Sequence, residues 1–352
     1  AGKRRGILDY SRIVEAEFGY TTARVLDVSI ALTNFGALMS YFNTIGTLGS
    51  YAVSQWGNVW LLQSYSGFMI VLCMGIEIPI IMLRSYGELT MFSFGSLVFV
   101  ISVVVFVAIQ GKYADSSDFM YSNIWPNRWI DCIKFLGNFS YAYSCQSVVF
   151  EAYQSMKPAA RVHFNSSMGA STILGGVLLT SMAIFGYAAF GQSCESDILV
   201  NFNTDTWEVQ TCFLVIVAHL LLYIPNDFVI MRLFFMRIFS VDALLTTQRT
   251  HIVATLILFM TPLAIMASVP EADVGGIFSL VIDLTGDIPS GFSCFFLPSV
   301  LYIKVFEKDG GFLWYIAWPI AVIGAVLVII CPCVDISSYM DACATNAGCS
   351  KY

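Results

Sequence analysis

The stretch "GNFSYAYSCQSVVFEAY", residues 137–153, brings Gly137, Asn138, Ser140, Tyr141, Ala142, Ser144 and Gln146 together, with Glu151 following. Small side chains allow a backbone to bend, and hydroxyls and amides can hydrogen-bond in its place. The surrounding sequence is apolar. A helix at bilayer depth unwinds only where protein or a water-lined cavity satisfies the freed backbone groups. The half-helix ends exposed in this way carry partial charges suited to a carboxylate or an ammonium group. A close helix–helix contact is the alternative reading, since small residues also let helices pack tightly.

Other polar residues interrupt apolar runs. Glu151 either faces a cavity and pairs with a cationic side chain of a solute, or lies near the cytoplasmic end of its span and pairs with Lys157 or another base. Asn34, midway along "LTNFGALMSYF", contacts solute or water, or makes a packing hydrogen bond. Asp283 and Asp287 flank Gly286 in "DLTGDIPSG", where a proton path and a paired structural role both fit. His219 is a candidate proton acceptor, because imidazole titrates near neutrality; a core histidine with a satisfied hydrogen bond is the alternative. Glu77, two turns before Arg84, is expected to snorkel toward the interface, and Asp227 to pair with Arg232.

The elements that carry these residues follow from composition. The chain is 57% hydrophobic and 12% charged, with a net charge of −7. Soluble proteins have about a quarter of their residues charged, so this is a polytopic membrane protein. Basic residues are too few and scattered for nucleic-acid binding. A spanning helix needs about 20 mostly apolar residues. Nine such runs occur, at about 25–49, 58–83, 91–111, 129–153, 168–190, 207–232, 250–269, 273–303 and 312–334. They are continuous rather than alternating, which makes the fold all-α and excludes a barrel. The eighth is expected to kink or unwind at "DLTGDIPSG". Residues 1–24 read as a cytoplasmic linker, too polar for a signal peptide and suggestive of a missing upstream part, and 335–352 as an extracytoplasmic tail.

With the N-terminal end cytoplasmic, only Lys112, Arg128, Lys134 and Lys351 of the 17 Lys and Arg fall outside, as the positive-inside rule requires. No sorting motif selects between the plasma membrane and an organelle membrane. The ten cysteines show no zinc spacing; Cys132–Cys194 or Cys343–Cys349 bridges are open alternatives on the outer side. No GxxxxGK[ST], HExxH, GxSxG or Rossmann fingerprint is present, so no enzyme, cofactor or metal site is expected. A channel is disfavoured by the lack of a pore-loop motif.

Four blocks carry a family resemblance. "FSYAYSCQSVVFEAYQSMK" resembles the F-x-F-A-F-x-C-H…P-I-Y-x-E-M-K region of the amino acid/auxin permease family. "AIFGYAAFGQSCESDILVNF" is similar to its A-x-x-G-Y-x-x-F-G…D-I-L-x-N stretch, and "IPIIMLRSYGELTMFSFGS" to its L-P-L-S-L-L-R-S-L…S-x-x-S segment. "VPEADVGGIFSLVIDLTGDIPSGFSCFFLPSVLYIKV" resembles its P-D-(I/L)-x-x-V-F-S-L-V-G-A-T…F-I-L-P-x-L-F-Y-L-K block. The resemblance implies a secondary amino acid transporter with a LeuT-like inverted-repeat fold and a midplane site at the repeat interface. Family members have eleven spans, and the nine here correspond to the third through eleventh. The family's glycine-rich, proline-containing first-span break has no match, which leaves a fragment or an inactive truncated copy as readings.

By that resemblance, residues 138–146 grip an amino acid substrate, with Ser140, Tyr141, Ser144 and Gln146 its nearest side chains. Gln146 stands where the family usually has His and Glu151 where it has Pro, which points to cationic amino acids such as arginine or lysine. Sodium-coupled relatives use hydroxyls on the eighth family helix. The stretch 213–225 has no Ser or Thr but does carry His219, so coupling to protons is favoured over sodium. A non-transporting sensor sharing the same cavity is the rival expectation.

Overall fold

A computed structural model of the chain describes residues 6–54, 59–82, 90–113, 129–195, 197–203, 205–239, 247–270, 274–307 and 311–344. Their regular structure is helical, with no strand among the described residues, in keeping with the all-α reading. The principal helices are α1 (Tyr10–Phe18), α2 (Tyr20–Val53), α3 (Tyr65–Ile81), α4 (Thr90–Gln110), α5 (Leu136–Ala142) and α6 (Gln146–Ser155). They continue as α7 (Phe164–Phe190), α8 (Trp207–Ile238), α9 (Gln248–Ala267), α10 (Val274–Phe306), α11 (Gly311–Ile329) and α12 (Cys331–Ala344).

Among the described residues, seven helices are long and apolar enough to cross a membrane. The expected count of nine is therefore not reproduced as nine long helices. The second run yields only the short apolar helix α3, which widens into a π turn at Cys73–Glu77. The fourth is broken into α5 and α6. The eighth stays helical: "DLTGDIPSG" does not unwind. α10 runs through it as a π-helical stretch, Gly286–Phe296. A wider turn accommodates Pro289, which lacks the N–H that an α-helix would use and whose ring would crowd the preceding turn.

The segments read as linker and tail both carry helix. Asp9 caps α1 by accepting from the Arg12 N–H at 3.0 Å, and Gly19, at φ 89°, turns the chain into α2. Tyr10, Ile13 and Val14 of α1 are buried against α2, α8 and α10, so this segment is a docked helix. The segment from 335 remains helical to Ala344, and Asp335 is buried. Cys132 and Cys194 are both free thiols, so no bridge joins them. Cys343 is disulfide-bonded, and its partner lies outside the described residues. So do Lys3, Arg4, Arg5, Arg84, Arg128, Lys308 and Lys351, on which part of the expected orientation rests.

α2 and α8 form the centre. In each, 56% of the most apolar window is buried, against 17% in α4 and 11% in α7, whose side chains face outward as lipid contacts. Phe42, Phe228 and Phe259 lock α2, α8 and α9 together, with edge-on ring centroids 5.3 and 5.7 Å apart. Between helices in lipid, this close packing and buried hydrogen bonds replace the hydrophobic drive available in water.

Candidate functional site

The fourth apolar run opens in its middle. α5 ends at Ala142, and α6 begins at Gln146. Between them Tyr143 (φ −104°, ψ 10°) and Cys145 (φ −139°, ψ 0°) leave helical geometry. The opening expected over 138–146 is thus confined to Tyr143–Cys145. No Gly or Pro lies in the gap. Side chains that compete with the helical ladder bracket it instead: the Ser144 hydroxyl donates to the Tyr141 carbonyl at 2.9 Å, and the Gln146 Oε1 accepts from the Cys145 N–H at 3.1 Å.

Both flanks of the gap are tied to the π stretch of α10. Gly137 and Gly286 meet backbone to backbone, so closely that a Cβ on Gly286 would overlap the Gly137 carbonyl. The Ser140 hydroxyl donates to the Gly286 carbonyl at 2.9 Å. Beyond the gap, the Gln146 backbone reaches the Cys294 thiol.

A second wall comes from α2, α4 and α8. The Tyr41 hydroxyl donates to Asp227 Oδ2 at 2.8 Å. Tyr223 lies edge-on to Tyr41 at 5.8 Å and stacks on His219 at 5.7 Å. His219 Nδ1 is 2.8 Å from the Ser96 hydroxyl, and Ser93 donates to Asn226 Oδ1 at 3.0 Å. Tyr141, one residue before α5 ends, lies within electrostatic reach of Tyr41 and Asp227. Its buried hydroxyl lies beside the Tyr41 hydroxyl, in a contact short of full hydrogen-bond geometry. An incompletely satisfied buried hydroxyl is costly, so a polar ligand at the gap would gain by meeting it.

The expected site residues divide between these walls. Ser140 and Gln146 turn toward α10, Tyr141 toward α2 and α8, and Ser144 back on its own helix. Asn138 is half-buried and Ala142 exposed. Asn34 spends its amide on the Ile30 carbonyl of its own helix at 2.7 Å, the packing alternative. Asp283 and Asp287 are buried, with Asp287 against Gly137 and facing Asp335 carboxyl to carboxyl. Ser279 donates to Asp283 at 3.5 Å.

Of three further carboxylates, Glu151 takes one of its two expected placements and Asp227 and Glu77 do not. Glu151 lies 3.6 Å from Arg237, which also holds Asp9 at 2.8 Å. This is the base-paired alternative, at the α1 end of the molecule. Asp227 takes Tyr41 rather than Arg232, whose guanidinium donates to the Ile81 carbonyl and the Thr255 hydroxyl, both at 2.9 Å. Residues five apart do not share a helix face, which is the spacing error in that pairing. Glu77 does not snorkel: it is fully buried in the π turn, and both its oxygens lack a hydrogen-bond partner among the described residues. Tyr41 and Asp335 were missed altogether. Tyr41 looks like one more aromatic in an apolar run, and Asp335 lies where the sequence suggests a tail.

A cavity of ≈ 370 Å³ opens elsewhere, at the end of the bundle opposite α1, and none of the expected site residues lines it. Among the described residues no group of His, Cys, Asp and Glu could hold a metal ion.

The family described as "Transmembrane amino acid transporter protein" matches residues 2–337. A "Putative sodium-coupled neutral amino acid transporter 10" of Xenopus laevis is 21% identical over 318 residues, covering 85% of this chain and 29% of the relative. "Amino acid transporter AVT6E" of Arabidopsis thaliana is 26% identical, over 56% of this chain and 42% of the relative. "Vacuolar amino acid transporter 5" of Schizosaccharomyces pombe is 24% identical, over 85% of this chain and 70% of the relative. The chain thus spans less than half the length of the first two. No solved structure matches it. A broken apolar helix set among buried polar groups and a family match along nearly the whole chain agree, and this chain belongs to the transmembrane amino acid transporter family, a family of transporters and not of enzymes.

Proposed function

We propose that the chain forms the core of a secondary transporter that moves amino acids by alternating access around the gap at Tyr143–Cys145. The observation that carries this reading is the gap itself. It lies within an apolar run, against the π stretch of α10, with the buried Tyr141 hydroxyl and the Tyr41–Asp227 pair on its other side. Broken helices of this kind offer backbone carbonyls and amides to a zwitterion, and rocking of one bundle around the fixed site exposes it alternately to each face.

The cargo we infer has a neutral side chain. A cationic cargo was expected on the strength of Glu151 alone, and Arg237 meets that charge. The printed names of the Xenopus relative and of a Danio rerio relative, "Sodium-coupled neutral amino acid symporter 2", point the same way. For the driving ion we keep the proton. His219 lies in a hydrogen-bonded, aromatic setting, and the facing carboxyls of Asp287 and Asp335 form an arrangement that a proton can bridge.

The test is uptake by the full-length protein in reconstituted vesicles, with labelled glutamine and labelled arginine compared. Saturable accumulation of glutamine, driven by a pH gradient and unaffected when choline replaces sodium, is expected. Loss of uptake in choline at constant pH assigns the coupling to sodium. Binding without accumulation overturns transport in favour of a sensor, and preferred accumulation of arginine overturns the neutral cargo.

A further inference from the structure

We propose that the cavity at the end of α2 farthest from α1 is a capture site for ammonium-bearing solutes, from which they pass along α2 toward the gap. This inference rests on the transport reading above and names a second binding site for it. The cavity, ≈ 370 Å³, falls within the roughly 300–1,000 Å³ usual for small-molecule sites. Glu195 and Asp197 line it, and no Lys, Arg or His is among its described lining residues. The rings of Tyr51 and Tyr65 supply walls whose faces attract cations. Thr47 also lines it, and its buried Oγ1 has no hydrogen-bond partner among the described residues, so it can accept from an incoming N–H.

The acidic rim is held in place. Asp197 Oδ1 accepts from the Leu199 N–H at 3.0 Å, and Asn201 accepts from the Glu195 N–H at 2.9 Å while donating to the Ser193 carbonyl at 2.8 Å. A pinned loop keeps its charges aimed without ordering cost when a cation arrives. Burial raises the Asp197 carboxyl above the ordinary carboxylate range, and the Leu199 N–H pulls it partly back. Among the described residues the titratable groups around it are Cys194, Glu195 and Cys212, with Tyr51 and Tyr65 on the cavity wall, none of them cationic.

From the cavity a polar stripe descends α2. Ser50, Thr47, Asn43, Ser40 and Gly36 recur at alternating spacings of three and four, which keeps them on one helix face. The stripe ends where Gly36 meets Thr285, the residue before the Gly286 that touches α5. The stripe thus leads from the cavity to the Gly286–Gly137 contact that flanks the broken segment.

The test uses the full-length protein carrying Ser54→Cys at the cavity rim in a Cys194→Ser background, labelled with methanethiosulfonates of opposite charge and read at position 54 by mass spectrometry. The cationic reagent is expected to react about tenfold faster than the anionic one, with most of that preference lost in Glu195→Gln. The preference is also expected to fall as the pH is lowered from about 7 to about 5, since a raised carboxyl gains its proton before an ordinary one. In uptake, Glu195→Gln raises the half-saturation concentration for glutamine more than it lowers the maximal rate. Equal labelling by the two reagents, or a preference untouched by Glu195→Gln, overturns the capture site. If labelling is charge-selective but no variant or parent accumulates amino acid, the transport reading fails and the cation-binding cavity stands.

Discussion

Two interrupted segments meet at the centre of this molecule, and they are interrupted in different ways. The π stretch of α10 carries Gly286, Pro289 and Gly291, strong helix breakers, yet it remains helical. The gap between α5 and α6 carries neither Gly nor Pro, yet it opens. The difference lies in where the freed carbonyls go. In the π stretch, Gly286 accepts from Ser140 of α5, Pro289 from Ser293, and Ser293 from the Tyr10 hydroxyl of α1. Two of these three donors come from other helices, so the wide helix is bolted to its neighbours. At the gap, the bonds come from Ser144 and Gln146 within the segment itself. A turn whose side-chain bonds are local can change shape with few contacts broken elsewhere, the Gln146 backbone contact to the Cys294 thiol being one, which suits the part that takes up and releases a solute.

The largest effect is expected where the two segments join. Gly286→Ala puts a methyl group into the Gly137 carbonyl. Neither side is the far end of a flexible side chain, so α5 must move off α10 at about 3 kcal/mol, the upper end for overpacking. Thermal unfolding in detergent should drop clearly, and uptake should disappear. An unchanged melting temperature would mean the two backbones are not in contact.

Tyr141→Phe should come next in effect and separate function from stability. Its hydroxyl makes only a poorly aligned contact with the Tyr41 hydroxyl among the described residues, so removing it costs the fold little. If that hydroxyl meets the solute, uptake should fall about tenfold, the worth of one hydrogen bond to a charged group. Ser140→Ala is the counterpart on the bolted side. It leaves the Gly286 carbonyl without its donor and should cost about 1 kcal/mol of stability with a smaller loss of uptake. Should the two variants exchange these profiles, the division into a working gap and a structural π stretch is reversed.

The contrast also explains what the sequence made legible. Apolar run lengths and the four family blocks were enough for the all-α membrane fold, and the small, hydroxyl-rich run around Ser140 pointed to the segment that opens at Tyr143–Cys145. The width of the opening was not legible, because Gln146 Oε1 and the Ser144 hydroxyl stop a helix only through their own rotamers. Nor was the fate of "DLTGDIPSG". Gly and Pro announce that an α-helix is disfavoured, but the choice between unwinding and a π-helix depends on donors such as Tyr10 and Ser140, which are remote in sequence. Asp227 was noticed but misassigned, because its partner Tyr41 is 186 residues away, on α2.

The smallest effect is expected at the far end of α6, and it asks whether the gap alone selects the cargo. Arg237 bridges Glu151 to Asp9, so α6 is anchored to α1 and α8 below the gap. Glu151→Gln removes one of two carboxylates around that guanidinium and keeps its shape and hydrogen-bonding capacity. The partly exposed pair is worth about 0.5–1 kcal/mol, and Asp9 still neutralises Arg237. Uptake of glutamine relative to arginine should therefore stay the same, with at most a small drop in melting temperature. A selective loss of arginine uptake would show that Glu151 meets a solute's positive charge during the cycle. In that case α6 swings far enough to release Arg237, and the anchor itself belongs to the moving part.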